Sequence, residues 1–140
     1  MTIVKTSVET SKVLPWAVMF YCAASLLHFA HNAEYLSDYP NLPAWLSRSQ
    51  VYVAWLCITA IGGLGYILYR RARQLSGLFV LAVYAALGFD GLLHYGRAPF
   101  RAHTMTMNLT IWVEVVAAGL LLITVMGLAA KHLARDIGDA

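Results

Sequence analysis

An all-α, integral membrane fold is predicted for this chain, a four-helix up-down bundle with both termini on one side, and three observations predict it. Of the 140 residues, 60% are hydrophobic and 12% charged, against roughly 45–50% and 25% in soluble chains. The apolar residues gather into four runs, near 13–33, 50–70, 75–95 and 104–130, each long enough to cross about 30 Å of hydrocarbon at about 1.5 Å per residue. None of the runs alternates polar and apolar residues as a strand of a membrane barrel must. The four spans and their short connections use up the sequence, so 1–140 reads as a single transmembrane domain.

Span one is entered through Thr10 and Ser11, with Pro15 in the first turn, where its missing N–H would be unpaired anyway. Lys5 and Lys12 ahead of an apolar run also fit a secretory signal with Cys22, Ala23, Ala24 and Ser25 as the cleavage region. The run is longer than a signal core and ends in histidines, which favours a span. The connection 34–49 reads EYLSDYPNLPAWLSRS, and its Tyr35, Tyr39 and Trp45 suit a strip anchored in the headgroup region. A sharper reading makes it a lid over whatever lies beneath.

Span two carries no His, Asp or Glu; its Tyr52, Trp55, Thr59, Gly62 and Tyr66 share a face, and Gly62, Gly63 and Gly65 allow close backbone approach. Spans one, three and four hold the ionisable residues. A single bundle of four spans without inverted repeats or broken helices provides no transport pathway unless it oligomerises.

Cys22 and Cys57 both lie inside apolar runs, which excludes a disulfide framework or a CxxC site, and no CxxCH, Gly-rich phosphate loop or nucleophile elbow is present. The net charge of +3 does not indicate nucleic acid, because the basic residues sit at segment ends. Lys5, Lys12, Arg70, Arg71, Arg73, Lys131 and Arg135 fall on the side of the termini, whereas Arg48, Arg97 and Arg101 fall on the other. The positive-inside rule then places the termini in the cytoplasm and the chain in a bacterial inner (plasma) membrane.

Ionisable side chains inside a span cost about 2.5–3.5 kcal/mol on insertion scales, so they face the protein interior and mark function. Here they are concentrated. His28 and His31 close span one, Asp90 and His94 close span three and His103 opens span four, so the topology brings all five to the extracytoplasmic end. The i,i+3 and i,i+4 spacings put each helical pair on one face. Imidazole and carboxylate are ligands shared by copper, zinc and iron, and the five residues are the expected metal ligands. Met105 and Met107 beside His103 tilt the choice towards copper.

Glu114 lies eleven residues beyond His103, roughly 16 Å deeper. An ionised carboxylate there is costly, so it is expected to be protonated or hydrogen-bonded to Thr59, Tyr52, Asn108 or Tyr84, and it is the candidate general acid or proton relay. Ser25, His28, Asn32 and Tyr35 on span one, and His103, Met107, Thr110 and Glu114 on span four, form polar seams at helical spacing. Glu34, three residues after His31, is a candidate outer ligand, and Arg97 and Arg101 suit lipid phosphate. His132 reads as a solvated tail residue.

The run DGLLH at 90–94 followed by His103 resembles the Asp-Gly-x-x-His, then His, ligand pattern of the copper-binding membrane subunit of particulate methane and ammonia monooxygenases over about fourteen residues. The gap to the last histidine differs, and the chain is much shorter than that subunit. That resemblance implies copper. His31 with Glu34, and Asn108 with Trp112, are similar in kind to the buried groups of EXPERA-type sterol isomerases, which implies a lipid pocket worked by acid and base.

Three function classes follow. One is a membrane metalloprotein acting on a lipid or quinone-like substrate, or handling the metal. The second is a b-type haem cytochrome, with His28 or His31 and His94 as axial ligands. The third is a metal-free lipid-binding or isomerase-type protein, or an accessory subunit that assembles with other membrane subunits or with its own copies. Reporter fusions test the orientation on which all three rest: a fusion at Asn41 should report the extracytoplasmic side and one at Ala140 the cytoplasm. A cytoplasmic signal from Asn41 reverses it.

Overall fold

The structure is a computed structural model that describes residues 11–71 and 73–138; Lys5, Thr10 and Ala140, which enter the reasoning above, lie outside them. Five α-helices run α1 (Val13–Glu34), α2 (Arg48–Arg70), α3 (Gln74–Leu87), α4 (Leu93–Arg97) and α5 (Met105–Gly138), with 3₁₀ turns at Leu36–Asp38, Asp90–Leu92 and Phe100–Ala102. The segment Gln74–Arg97, comprising α3, the 3₁₀ turn and α4, counts as one span, so four segments are long and apolar enough to cross a membrane. Among the described residues there is no strand.

Each span packs mainly on its neighbours in a ring: α1 on α2 and α5, and α3 on α2 and α5. The core along the axis contains Leu14, Tyr21, Leu81, Tyr84, Ala117, Ala118 and Leu121, and the Tyr21 and Tyr84 rings stand 4.5 Å apart. Trp16, Phe79 and Ile123 lie about 71% exposed. Large apolar groups on the outside and a mixed apolar and polar inside are the arrangement expected of a bundle solvated by lipid.

Three boundaries differ from expectation. α2 begins at Arg48 instead of near Gln50, because Ser47 and Gln50 form a reciprocal capping box over its first turn. α5 runs on as helix to Gly138, which carries Lys131, His132 and Arg135 on helical turns and not on a loose tail. Span three is broken. After Leu87 the amides of Gly88, Phe89 and Leu92 bond three residues back, to Ala85, Ala86 and Phe89, and the chain tightens into a 3₁₀ turn. Gly88 passes so close to α1 and α5 that a Cβ there would lie 2.5 Å from the Tyr21 hydroxyl and 2.7 Å from the Ala118 methyl. The expectation of four unbroken helices is therefore corrected at the level of Asp90.

α2 and α3 form a tight hairpin in which a Cβ on Gly77 would overlap the Tyr69 backbone, whereas one on Gly63 would meet nothing within 4 Å. Gly77→Ala should therefore cost about 1–3 kcal/mol of stability, while Gly63→Ala on the outer face should be neutral or slightly stabilising. Thermal unfolding in mild detergent measures both.

Candidate functional site

The polar end of the bundle, opposite the termini, is built from the last turns of α1, the break in span three, α4, and the first three turns of α5. His28, His94 and His103 come together there as a row of buried rings, with centroids 5.5 Å apart for the first pair and 6.1 Å for the second. Asp90 is half-buried on the wall of the same cavity as His28 and His94.

His31 does not join the row. Residues three apart on a helix stand about 60° apart around its axis, and while His28 turns towards α5, His31 turns to the connecting loop. There its Nδ1 is 2.9 Å from the Tyr39 hydroxyl and its ring lies 4.7 Å from Tyr35. Among the described residues, no group of three or more His, Cys, Asp or Glu side chains is placed to hold a metal ion. The five expected ligands are gathered at one end but not around one point.

Glu114 is fully buried, 0% exposed, at the base of the row. It has none of the four partners the sequence suggested; its Oε2 faces His28 Nε2 at 3.7 Å. The hydrogen-bond roles around His28 follow from its other neighbour. Thr110 Oγ1 donates its one proton to the Met107 carbonyl at 3.0 Å, so at the 3.4 Å contact it accepts from His28 Nδ1–H. That leaves the Nε2 lone pair facing the carboxyl group. Gly91 stands over the pair: a Cβ there would lie 3.5 Å from Glu114 Oε2 and 3.7 Å from His28 Nε2.

The other two rings are oriented by similar reasoning. A carbonyl only accepts, so the 3.2 Å contact with Pro99 O puts the proton of His103 on Nδ1 and leaves Nε2 with a free lone pair. The Asn32 amide donates to His94 Nε2 at 3.2 Å. His94 Nδ1, His103 Nε2, Asn32 Oδ1, Asp90 Oδ1, Ser25 Oγ and both Glu114 oxygens are buried with no hydrogen-bond partner. Most of these are acceptors. Each unpaired group costs about 1–3 kcal/mol, so the set fits an occupant that brings protons or positive charge.

A cavity of about 170 Å³ reaches this row from the side, between α1 and α2. His28, Asn32, Asp90 and His94 form its inner wall, and Phe29, Leu46, Val51 and Ala54 its mouth. Over the top lies the 35–47 connection. Tyr39 is buried with its ring 4.9 Å from His94, and Asn41 donates to the Arg97 carbonyl at 2.8 Å. Burial pushes the Tyr39 phenol up to about 12, against the opposing effect of the Thr110 hydroxyl, so it stays protonated at neutral pH. Trp45, on the same segment, is exposed.

Glu34 is not an outer ligand: it is exposed and held by Arg48 at 2.6 Å and by the Tyr52 hydroxyl at 2.7 Å. Arg97 and Arg101 are exposed on the rim. Comparison with protein-family models, with curated proteins and with solved structures finds no match. Neither sequence resemblance gains support.

Tyr39, Thr110 and Asn108 contribute more than their sequence positions suggested. Asn108 accepts from the Tyr95 hydroxyl at 2.8 Å and donates to the Phe100 and His103 carbonyls, each at 3.3 Å. It fixes the loop that carries His103. Asn108→Ala strands these partners and should cost about 1–3 kcal/mol, whereas Tyr95→Phe, which removes one hydroxyl, should cost about 1 kcal/mol. Denaturant unfolding of the two variants in detergent checks the order.

Proposed function

We propose that this chain is an integral membrane protein that binds the polar head of a lipophilic molecule in the cavity between α1 and α2, with His28 and Glu114 as a proton-exchanging pair behind it. The observation that carries this reading is the cavity itself. Phe29, Leu46, Val51 and Ala54, with Gln50 as the one polar neighbour on α2, line one side of it, and unpartnered polar atoms of Asn32, Asp90 and His94 line the other. At about 170 Å³ it accepts a headgroup of a few heavy atoms and not a whole lipid, whose tail would remain between the helices. Of the four neighbouring helix interfaces, α1 with α2 is the loosest, which suits lateral entry.

The pair is suited to moving a proton. With its Nδ1 proton given to Thr110, neutral His28 presents a lone pair to Glu114, and either partner can carry the shared proton. An occupant that donates to Asp90 or accepts from His94 Nδ1–H comes within a short relay of that proton. This is acid–base chemistry of the kind an isomerase or a quinone site uses.

A second reading, a copper, zinc or iron site, is favoured by one observation: His94 Nδ1 and His103 Nε2 are both buried and unpartnered on neighbouring rings. Turning the Asn32 amide over would take the His94 proton onto Nε2 and free Nδ1 as a ligand. The haem alternative is disfavoured because both nitrogens of His28 already face Thr110 and Glu114, and the cavity is too small for a porphyrin.

Decylubiquinone serves as a probe, with tryptophan quenching as the readout. Saturable quenching in the wild-type protein should be lost in Gly91→Leu, which fills the cavity at a cost of about 1–3 kcal/mol in stability, with thermal unfolding followed alongside to show that the variant is folded at the assay temperature. Glu114→Gln should keep binding, because the amide preserves size, but should lose the carboxyl band in the infrared difference spectrum on ligand addition. Saturable binding that survives Gly91→Leu overturns the cavity assignment. Stoichiometric metal that disappears in His103→Ala selects the second reading instead.

A further inference from the structure

At the opposite end of the bundle, beside the termini, the residues just before α1, the end of α2, the start of α3 and the last turns of α5 line a second and larger cavity of about 320 Å³. Lys12, Lys131, His132 and Arg135 line it together with Tyr69 and Gln74. No described acidic side chain does; Asp136, next to Arg135, is not part of the wall. This cavity is unrelated to the histidine row.

Its construction follows from helix lengths. α5 has 34 residues against 22 in α1 and 23 in α2, so the turn carrying Lys131 and His132 stands beyond the starts of α1 and α3 and forms a wall over them. Tyr69, at the end of α2, is buried and its hydroxyl accepts from the Ser11 amide at 3.0 Å. Its own proton is left to donate. Leu78 and Leu128 make the deeper side apolar.

We infer that this cavity binds a phosphate-bearing anion, namely the headgroup of an acidic phospholipid. Two ammonium groups and a guanidinium supply the charge, and the Tyr69 hydroxyl and Gln74 amide supply directed hydrogen bonds that a free counter-ion layer would not need. The apolar side at Leu78 and Leu128 distinguishes a lipid from free phosphate, since it continues the site towards the acyl region. A basic pocket between spans is a recurring solution for anionic headgroups, because each cation near an anionic leaflet contributes about fivefold in affinity.

Native mass spectrometry of the full-length protein, released from detergent and titrated with short-chain phosphatidylglycerol, phosphatidylcholine or inorganic phosphate, tests the assignment. Phosphatidylglycerol should bind in preference to phosphatidylcholine with a stoichiometry of one per chain. The double variant Lys12→Ala/Lys131→Ala should lower that affinity about thirtyfold, and Lys12→Arg/Lys131→Arg should restore most of it. Arg70→Ala/Arg71→Ala removes two charges from the same end but outside the cavity and should have little effect. Equal loss in both alanine pairs would mean a diffuse surface potential and overturns the site. Inorganic phosphate binding as tightly as the lipid overturns the headgroup assignment, and unchanged affinity in Lys12→Ala/Lys131→Ala overturns the proposal outright.

Discussion

A carboxyl group with no exposure in the middle of an apolar bundle is the constraint on which the rest of the polar end depends. Burying Glu114 requires a shell that admits neither lipid nor clash. The imidazole that faces it is His28, with Nε2 at 3.7 Å. Its ring is aimed by Thr110, one turn before Glu114 on α5, so a single helix carries both the carboxyl group and the hydroxyl that orients the imidazole. α1 and α5 must therefore pack closely. Below the site, Ala24 on α1 and Ala117 and Ala118 on α5 are the small residues that make this packing available.

The break in span three belongs to the same constraint. A continuous helix would carry side chains past Glu114 and His28 at the level where only Gly91 now stands. The chain reaches that level through Gly88, wedged against Tyr21 and Ala118, and turns once as a 3₁₀ segment before α4 restarts. The turn brings Asp90 and His94 to the cavity wall, and the glycine between them leaves no side chain over Glu114 and His28. The break is local and its ends are held from both sides, by Tyr21 below and by the Asn41 contact to Arg97 above.

Much of this arrangement was legible in the sequence, and the limits are physical. Four apolar runs specify four helices because no other backbone satisfies its own hydrogen bonds in lipid. The His103, Met107, Thr110 and Glu114 seam is buried at every position, as its spacing predicts. Its counterpart on α1 is buried at Ser25 and His28, half-buried at Asn32, which still reaches His94, and exposed at Tyr35. His31 could not be separated from His28 by spacing alone, since i,i+3 is close enough to share a face and far enough to miss a point. The Ser47 and Gln50 capping box was readable as S-x-x-Q. Gly88 was not, because a glycine in an apolar run signals either close packing or a break, and only the position of Tyr21 decides.

The two ends of the bundle divide the chemistry by charge, and the division limits what each can hold. The terminal cavity collects cations and hydrogen-bond donors, so it suits an anion. The other end collects unpartnered acceptors on His103, Asn32, Asp90 and Glu114, which suits a group that brings protons. Arg97 and Arg101, the basic residues nearest the histidine row in sequence, stay on the rim and leave that polarity intact. Entry to the histidine cavity passes Leu46 and Val51, on either side of the Ser47 cap and of Arg48, which Glu34 holds to the end of α1. The Arg48 and Glu34 pair is exposed and worth about 0–1 kcal/mol, so the firmer closure on this side is the buried contact of Phe29 with Val51, against which Leu46 packs. Over the imidazoles the cover is Tyr39, buried against His94.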